Sequence, residues 1–342
     1  AEVLAAGEML STRIGATWLE AQGLPTRWLD ARTLLRAEDR PEDGHRQYLS
    51  ATCGEGADHA LAERLAELPE TVLLTQGFVV GGPEGDTALL GRGGSDTSAT
   101  TLGERLSARH VEVWTDVPGL FSADPRIVRT ARRLARVGFD EAMELTTRGA
   151  KVLHPRSLAP ARRAGIPIHV RCTADPSGDG TVIDEAAKSR RRGVVAISSR
   201  HGMTVVTMDV EATWQEVGVI ADLVGCFARR GLSIDAISSS QTRVTVSLDS
   251  SANALDEETM ADLMRDLARR SKPQVIAPVA SVSIVGTQLQ HALPALPSFG
   301  ALAQETVHLL AHAANDRSVT FVVDESAADG IVRQLHRDVV GP

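Results

Sequence analysis

An α/β fold followed by a smaller α+β region is predicted for this 342-residue sequence, on two kinds of pattern and a break. In the first half, short apolar strand-like runs alternate with helical periodicity, which predicts a mostly parallel sheet covered on both faces. In the second half the spacing tightens, and the order of strands and helices reads as two copies of a βαββαβ unit. A basic stretch at 188–193 divides them and reads as a solvated linker. Domains at 1–187 and 194–342 are therefore expected.

The elements follow in order. Residues 2–28 carry Leu4, Met9, Leu10, Ile14, Trp18 and Leu19 at helical spacing, and Gly23-Leu24-Pro25 closes the run. A short strand is expected at 27–30 and a helix at 60–68. A buried strand at 72–80 should stop at Gly81-Gly82-Pro83. A helix after Asp96 leads to a strand at 111–116. Beyond the linker, strands are expected at 194–198, 204–210, 232–237 and 243–248, with helices at 217–230 and 260–270. The pattern then repeats as a strand at 282–286, a helix at 302–314, a strand at 318–323 and a helix at 326–338. Each copy has a thin core, so the pair should pack on each other or on a partner chain.

Composition excludes several classes. The net charge of -8 provides no basic field for nucleic acid or a membrane surface. No apolar run reaches the length of a membrane span, and no signal peptide opens the sequence. Cys53, Cys172 and Cys226 are odd in number and widely spaced, which argues against a disulfide framework and against a zinc site. A cytoplasmic location is the expectation.

Chemistry concentrates at Leu90-Gly91-Arg92-Gly93-Gly94-Ser95-Asp96-Thr97-Ser98. Glycines permit a tight turn and close approach of ligand atoms to peptide N–H groups. A helix opening at Ser95 would add unpaired donors and a partial positive charge, which suit an anion. Arg92 offers a planar fork for a carboxylate or phosphate. The spacing alone reads equally well as a glycine-rich turn with an N-cap, and it lacks the pattern of a dinucleotide fingerprint or a P-loop. Ligands of parallel sheets collect beyond the carboxyl ends of strands, so this turn and Thr115-Asp116 are expected to face one cleft. His154 lacks a second ligand at metal spacing and reads as a packed loop residue.

Seven segments in order carry a resemblance to a known family. They are Gly7 to Thr12, Thr75-Gln76-Gly77-Phe78, Leu90 to Asp96, Trp114 to Pro118, Asp124-Pro125-Arg126, Glu141 to Leu145, and Gly149 to Pro155. The first half resembles the aspartokinase branch of the amino acid kinase family, and the second resembles its paired ACT regulatory domains. The resemblance implies an N-terminally truncated amino acid kinase-like domain followed by two interleaved ACT-type domains. It implies transfer of the ATP γ-phosphoryl group to the β-carboxylate of L-aspartate, the first step toward lysine, threonine and methionine. ATP with Mg2+ is then a co-substrate, with no tightly bound cofactor.

The resemblance also assigns residues. Glu8, Arg92, Gly93, Gly94, Ser95 and Asp96 fall at the amino-acid site. Thr115, Asp116, Phe121, Arg126 and Lys151 fall where the family binds ATP, and Arg92, Asp96 and Lys151 are the catalytic candidates. Lys151 is one of only three lysines among 36 basic residues, which suggests that a compact ammonium is wanted there. The family usually has tyrosine where Phe121 stands; an aromatic face remains, without the hydroxyl. Gln215, Gly218, Ile220, Ser233, Ile234, Asp235, Ser239 and Ser240 are matched to an effector pocket at a homodimer interface, with lysine favoured and threonine the alternative.

One departure is large. Aspartokinases open with a strand carrying Lys-Phe-Gly-Gly, whose lysine and glycines serve the transferring phosphate, and no such segment precedes Glu8. The expectation is that this chain is part of a longer enzyme and is inactive alone. The competing reading is a non-catalytic chain that senses an amino acid and pairs with a complete kinase.

Overall fold

A computed structural model describes residues 1–39, 46–150, 152–186, 193–210, 217–292, 302, 304–312 and 314–341. The chain divides into two compact units. The first contains Ala1–Leu120, Arg133–Thr147 and Lys151–Arg190; the second contains Phe121–Arg132, Arg148–Ala150 and Arg191–Pro342. Among the described residues, no helix is long and apolar enough to cross a membrane.

The first unit opens with helix α1 (Glu2–Ala21), which buries Ala5 and Ala16. Strand β1 (Thr26–Trp28), a 3-10 turn at Ala31–Thr33, and helices α2 (Arg46–Leu49) and α3 (His59–Ala66) follow. Strand β2 (Val72–Leu74) runs parallel to β1. The single strand expected at 72–80 is broken here. Phe78 has φ +71, a left-handed conformation that no strand residue adopts, and the chain restarts as β3 (Val79–Gly81). This pairs antiparallel with β4 (Thr87–Leu89).

Helix α4 (Gly94–Arg105) is next, then β5 (Val111–Thr115), β6 (Arg136–Val137), α5 (Phe139–Thr147), a 3-10 turn at Pro155–Ser157, α6 (Leu158–Ala164), β7 (Ile168–Cys172) and β8 (Thr181–Ile183). The sheet order is β5-β7-β8-β6, with β5 parallel to β7, β7 antiparallel to β8, and β8 parallel to β6. The expectation of a mostly parallel sheet is thus corrected to small mixed sheets. Strands of two to five residues carry too little periodicity to reveal which neighbour they pair with.

Three features lock α4 in place. Its small residues Gly94, Thr97, Ser98, Thr100 and Thr101 are buried, and the threonines satisfy their hydroxyls on carbonyls one turn back. A β-carbon on Gly103 would lie 2.6 Å from Val111, so the end of α4 rests on the start of β5. At the same end, Arg163 of α6 makes two bonds of 3.0 and 2.8 Å to the buried Glu104 carboxylate.

The second unit is built on one six-stranded antiparallel sheet. Its elements are β9 (Gly193–Asp209), α7 (Val219–Ala228), β10 (Ala236–Ser239), β11 (Arg243–Asp249), α8 (Glu257–Leu267), β12 (Lys272–Thr287), α9 (Leu289–Ala292), β13 (Val307–His312), β14 (Ser318–Asp324) and α10 (Glu325–Val339). The order is β10-β11-β9-β12-β14-β13. Strands β9 and β12 pair along most of their length, with register shifts between Ile276 and Ser281. The shifts divide the sheet into two overlapping four-strand sets, each ordered 4-1-3-2 as a βαββαβ unit requires. One set uses 203–209 of β9, β10, β11 and the start of β12. The other uses 279–287 of β12, β13 and β14, and takes its last strand from 193–199 of β9.

Each set has its own core. Val206, Met208, Leu223, Phe227, Leu263 and Leu267 pack beneath α7 and α8. Ile284, Phe321, Val323, Ile331 and Leu335 pack beneath α10. Burial of each such side chain contributes about 2 kcal/mol.

Three sequence expectations fail here. The separate strands at 194–198 and 204–210 are one strand, β9. The helix expected at 302–314 is strand β13 at Val307–His312, because pairing with β14 outweighs the helical preference of its Leu and Ala residues. The strand expected at 232–237 starts only at Ala236, so Ser233, Ile234 and Asp235 lie in the loop before it. The linker at 188–192 lies outside the described residues.

Candidate functional site

The glycine turn is held from three sides. Gly91 and Gly93 have φ of +74° and +65°, a conformation that only glycine adopts without strain. Gly93 caps α4, and the Gly94 N–H donates to the Gly91 carbonyl at 3.0 Å. Beneath the turn, Arg156 donates to the Leu90 carbonyl at 2.9 Å, to the Ala51 carbonyl at 2.9 Å and to Ser50 Oγ at 3.1 Å. Phe78 covers Gly94, where a β-carbon would lie 2.6 Å from the ring. The Phe78 N–H donates to Ser98 Oγ. The backbone is therefore fixed before any ligand arrives, with Arg92 and Ser95 exposed on its outer side.

Asp96 sits in the first turn of α4 and is partly buried. Burial pushes its carboxyl above the ordinary carboxylate value of 3.8, while the His154 backbone N–H, which donates to it, pulls the other way. His154 Nδ1 accepts from the Arg156 N–H at 3.3 Å. Burial, then the charges of Arg156 and Arg92, hold the imidazole below its ordinary value of 6.5 against the pull of Asp96. The structure thus brings Arg92, Gly93, Gly94, Ser95 and Asp96 to one helix start and adds His154 beside them.

Glu8 is partly buried on α1, and a polar cluster that sequence reading missed positions its helix. Gln76 is 1% exposed. Its Oε1 accepts from the Ala31 N–H at 2.8 Å, and its Nε2 donates to Thr12 Oγ1 at 2.8 Å. Thr12 Oγ1 donates to the Glu8 carbonyl at 2.8 Å and accepts from Trp28 Nε1 at 3.0 Å. The signal was Gln76 inside an otherwise apolar run, where a buried amide must find partners.

The remaining candidates are distributed. Thr115 ends β5, and its Oγ1 donates to Asp116 Oδ1 at 3.1 Å; Asp116 is exposed. The end of α4 rests on the start of β5, where a β-carbon on Gly103 would meet Val111. Phe121 and Arg126 belong instead to the second unit. Arg126 makes a two-pronged contact with Asp124 (2.6 to 3.1 Å), which raises the guanidinium value and lowers that of the carboxyl. Lys151 lies outside the described residues.

In the second unit, Gly218 (φ +95) precedes α7 without a side-chain cap, and Ile220 is exposed in its first turn. Gln215 lies outside the described residues. Asp235 is already engaged, since Arg200 bonds it at 2.8 Å and Asp249 at 3.1 Å. Asn253 takes both backbone groups of Ser233, accepting from its N–H at 2.6 Å and donating to its carbonyl at 3.0 Å. Ile234 packs against the core under α7. Ser239 ends the edge strand β10, and Ser240 starts the turn into β11.

Comparison with known proteins identifies the family. The model of the amino acid kinase family matches residues 1–172. The chain is 31% identical over 341 residues to lysine-sensitive aspartokinase 3 of Escherichia coli, covering 99% of this chain and 75% of that protein. It is 29% identical over 342 residues to chloroplastic aspartokinase 1 of Arabidopsis thaliana, covering 97% of this chain and 59% of that one. The crystal structure of E. coli aspartokinase III with aspartate and ADP matches with a TM-score of 0.82 at 32% identity, over 99% of this chain and 75% of the other. The lysine and aspartate complex of that enzyme gives 0.80 at 31% identity over the same shares. Clostridium acetobutylicum aspartate kinase shares the fold, with a TM-score of 0.73 at 20% identity over 98% and 73%. The chain belongs to the aspartokinase branch of the amino acid kinase family.

Proposed function

We propose that this protein transfers the γ-phosphoryl group of ATP, entering as its magnesium complex, to the β-carboxylate of L-aspartate. One aspartate oxygen forms the new bond to phosphorus, the bridging oxygen departs with ADP, and 4-phospho-L-aspartate results. The observation that carries this reading is the prebuilt turn from Leu90 to Asp96, with a guanidinium, a helix start and a partly buried carboxylate on one short segment. It is supported by the match to an enzyme solved with aspartate and ADP.

The chemistry asks for alignment and charge neutralisation rather than covalent help. The acceptor carboxylate is ionised at neutral pH and needs no general base. Arg92, exposed and without an ion pair among the described residues, is the group for an aspartate carboxylate, assisted by Ser95 and the N–H groups that open α4. Asp96 and Glu8 suit the α-ammonium. Thr115 and Asp116 suit the nucleotide at the end of β5, with Phe121 as an aromatic face and Arg126 and Lys151 offsetting phosphate charge.

The second unit reads as two interleaved ACT-type domains that sense an amino acid, lysine in preference to threonine. The uncapped start of α7 and the edge of β10 support an effector site there. Its polar partners are the first-turn N–H groups and Ser239, since Asp235, the Ser233 backbone and Ser240, whose Oγ accepts from the Arg243 N–H at 3.1 Å, are occupied. Exposed Val217, Ile220 and Ile237 near these elements support a homodimer through this unit. Calorimetric titration tests the whole reading. L-aspartate and ADP should each bind once per chain, L-glutamate should not compete, and lysine should bind independently of Arg92. Tighter binding of glutamate than of aspartate would contradict the assigned substrate.

A further inference from the structure

The segment 121–132 carries two of the candidate nucleotide residues, Phe121 and Arg126, and belongs to the second unit. Ala123 and Val128 are buried in the core under α10 with Ile197, Phe321 and Leu335. Ser122, 1% exposed, is bonded at every polar atom. Its N–H donates to the Arg132 carbonyl at 2.9 Å, and its carbonyl accepts from the Ile197 N–H at 2.8 Å. Its Oγ accepts from the Arg132 N–H at 2.9 Å and shares a 2.9 Å hydrogen bond with Nε2 of His336 on α10.

His336 is fully buried, and its Nδ1 has no hydrogen-bond partner among the described residues. A buried imidazole with one nitrogen unsatisfied is a costly choice where leucine would fill the space. The cost is intelligible if the remaining bond has a use. Ser122 closes the loop that returns at Arg132, so the bond from α10 sets the position of everything between them. Burial, then the Arg132 charge, hold the imidazole below its ordinary value of 6.5 and so favour the neutral ring.

We propose that His336 is a positioning residue for the nucleotide, acting through Ser122 to hold the segment that presents Phe121 and Arg126. The proposal rests on the reading that this segment contacts ATP. No residue of α10 need touch the ligand.

The test is ADP titration of the full chain and five variants, with L-aspartate titrated in parallel. His336→Leu should weaken ADP about fivefold, and Ser122→Ala at least as much, since it also removes the acceptor of the Arg132 N–H. Both should leave aspartate affinity unchanged. The double variant should lose no more than Ser122→Ala alone, because the Ser122–His336 bond is already gone there. His336→Gln, which keeps a polar group near Nε2, should restore most of the affinity. Amide exchange at Arg132 should quicken in His336→Leu, a readout independent of the ligand. Phe121→Ala separates the two layers. If it leaves ADP affinity intact, the nucleotide reading of the segment fails. If it weakens ADP while His336→Leu and Ser122→Ala do not, or if aspartate affinity falls equally in those variants, the positioning role of His336 is overturned.

Discussion

Gly93 and His154 meet with no room for one more carbon: a β-carbon built on Gly93 would lie 2.1 Å from Cβ of His154. That contact seats the glycine turn against the 3-10 turn at Pro155–Ser157 and makes Gly93 irreplaceable twice over, by φ and by space. Gly93→Ala should lower stability by roughly 2 kcal/mol and weaken aspartate binding at least tenfold. Thermal melting and aspartate titration check both. An unshifted melting temperature would show that the turn adapts.

Asp96 makes the site pH-sensitive. Its carboxyl is pushed above 3.8 by burial, so protonation is favoured in the fold. The stability this gives is full below pH 3.8 and is lost as pH rises through the raised value. Binding runs the other way, because only the ionised carboxylate holds an ammonium. Aspartate affinity should therefore fall on acidification at higher pH than an ordinary carboxylate would dictate. His154 and Arg92 are the charged neighbours, so Asp96→Asn is the control. It should bind weakly and lose the part of the pH dependence that belongs to Asp96. Identical pH profiles would place the ammonium elsewhere.

How far these features were legible in sequence depended on the length of the signal. Helix α1 repeats an apolar face over several turns and its position followed from spacing, while the start of α4 followed from the glycine turn and the polar residues that open it. The glycine turn was legible as a tight turn into a helix from its three glycines, and the order of the seven matching segments, rather than its spacing alone, marked it as a binding site. Strand pairing was not, since β2, β3, β4 and β8 each span three residues, too few to show a period. The misread strand β13 shows the same limit, because its identity comes from β14 alone. Gln76, His154 and Asn253 were missed as organisers for a related reason. Each acts through hydrogen bonds to backbone groups whose location only the fold reveals.

Asn253 illustrates the consequence. It is 8% exposed, and it substitutes for a neighbouring strand by pairing both backbone groups of Ser233 while donating to the Asp249 carbonyl at 2.9 Å. Asn253→Ala should cost about 2 kcal/mol through unsatisfied groups. It should also expose the Ser233 amide to exchange, with aspartate affinity unchanged. Unaltered protection of Ser233 would rule out this role.

Cys53 is chemically quiet. Burial pushes its thiol up to about 11, against a lesser pull from Arg105, so only about 0.1% is thiolate at pH 8. Cys172 and Cys226 are buried. Native protein should take up iodoacetamide slowly at all three positions and rapidly once denatured, as read by intact mass. Fast single labelling of the native chain at Cys53 would contradict this.

Aspartate binding depends on Arg92 gripping one of its carboxylates. Calorimetry of the wild-type chain and Arg92→Ala with L-aspartate reads this directly, since Arg92 is exposed and its loss should not disturb the fold. Saturable one-to-one binding in the wild type, weakened at least tenfold in the variant with an unchanged melting temperature, is the predicted result. Equal affinity in the two proteins would contradict it.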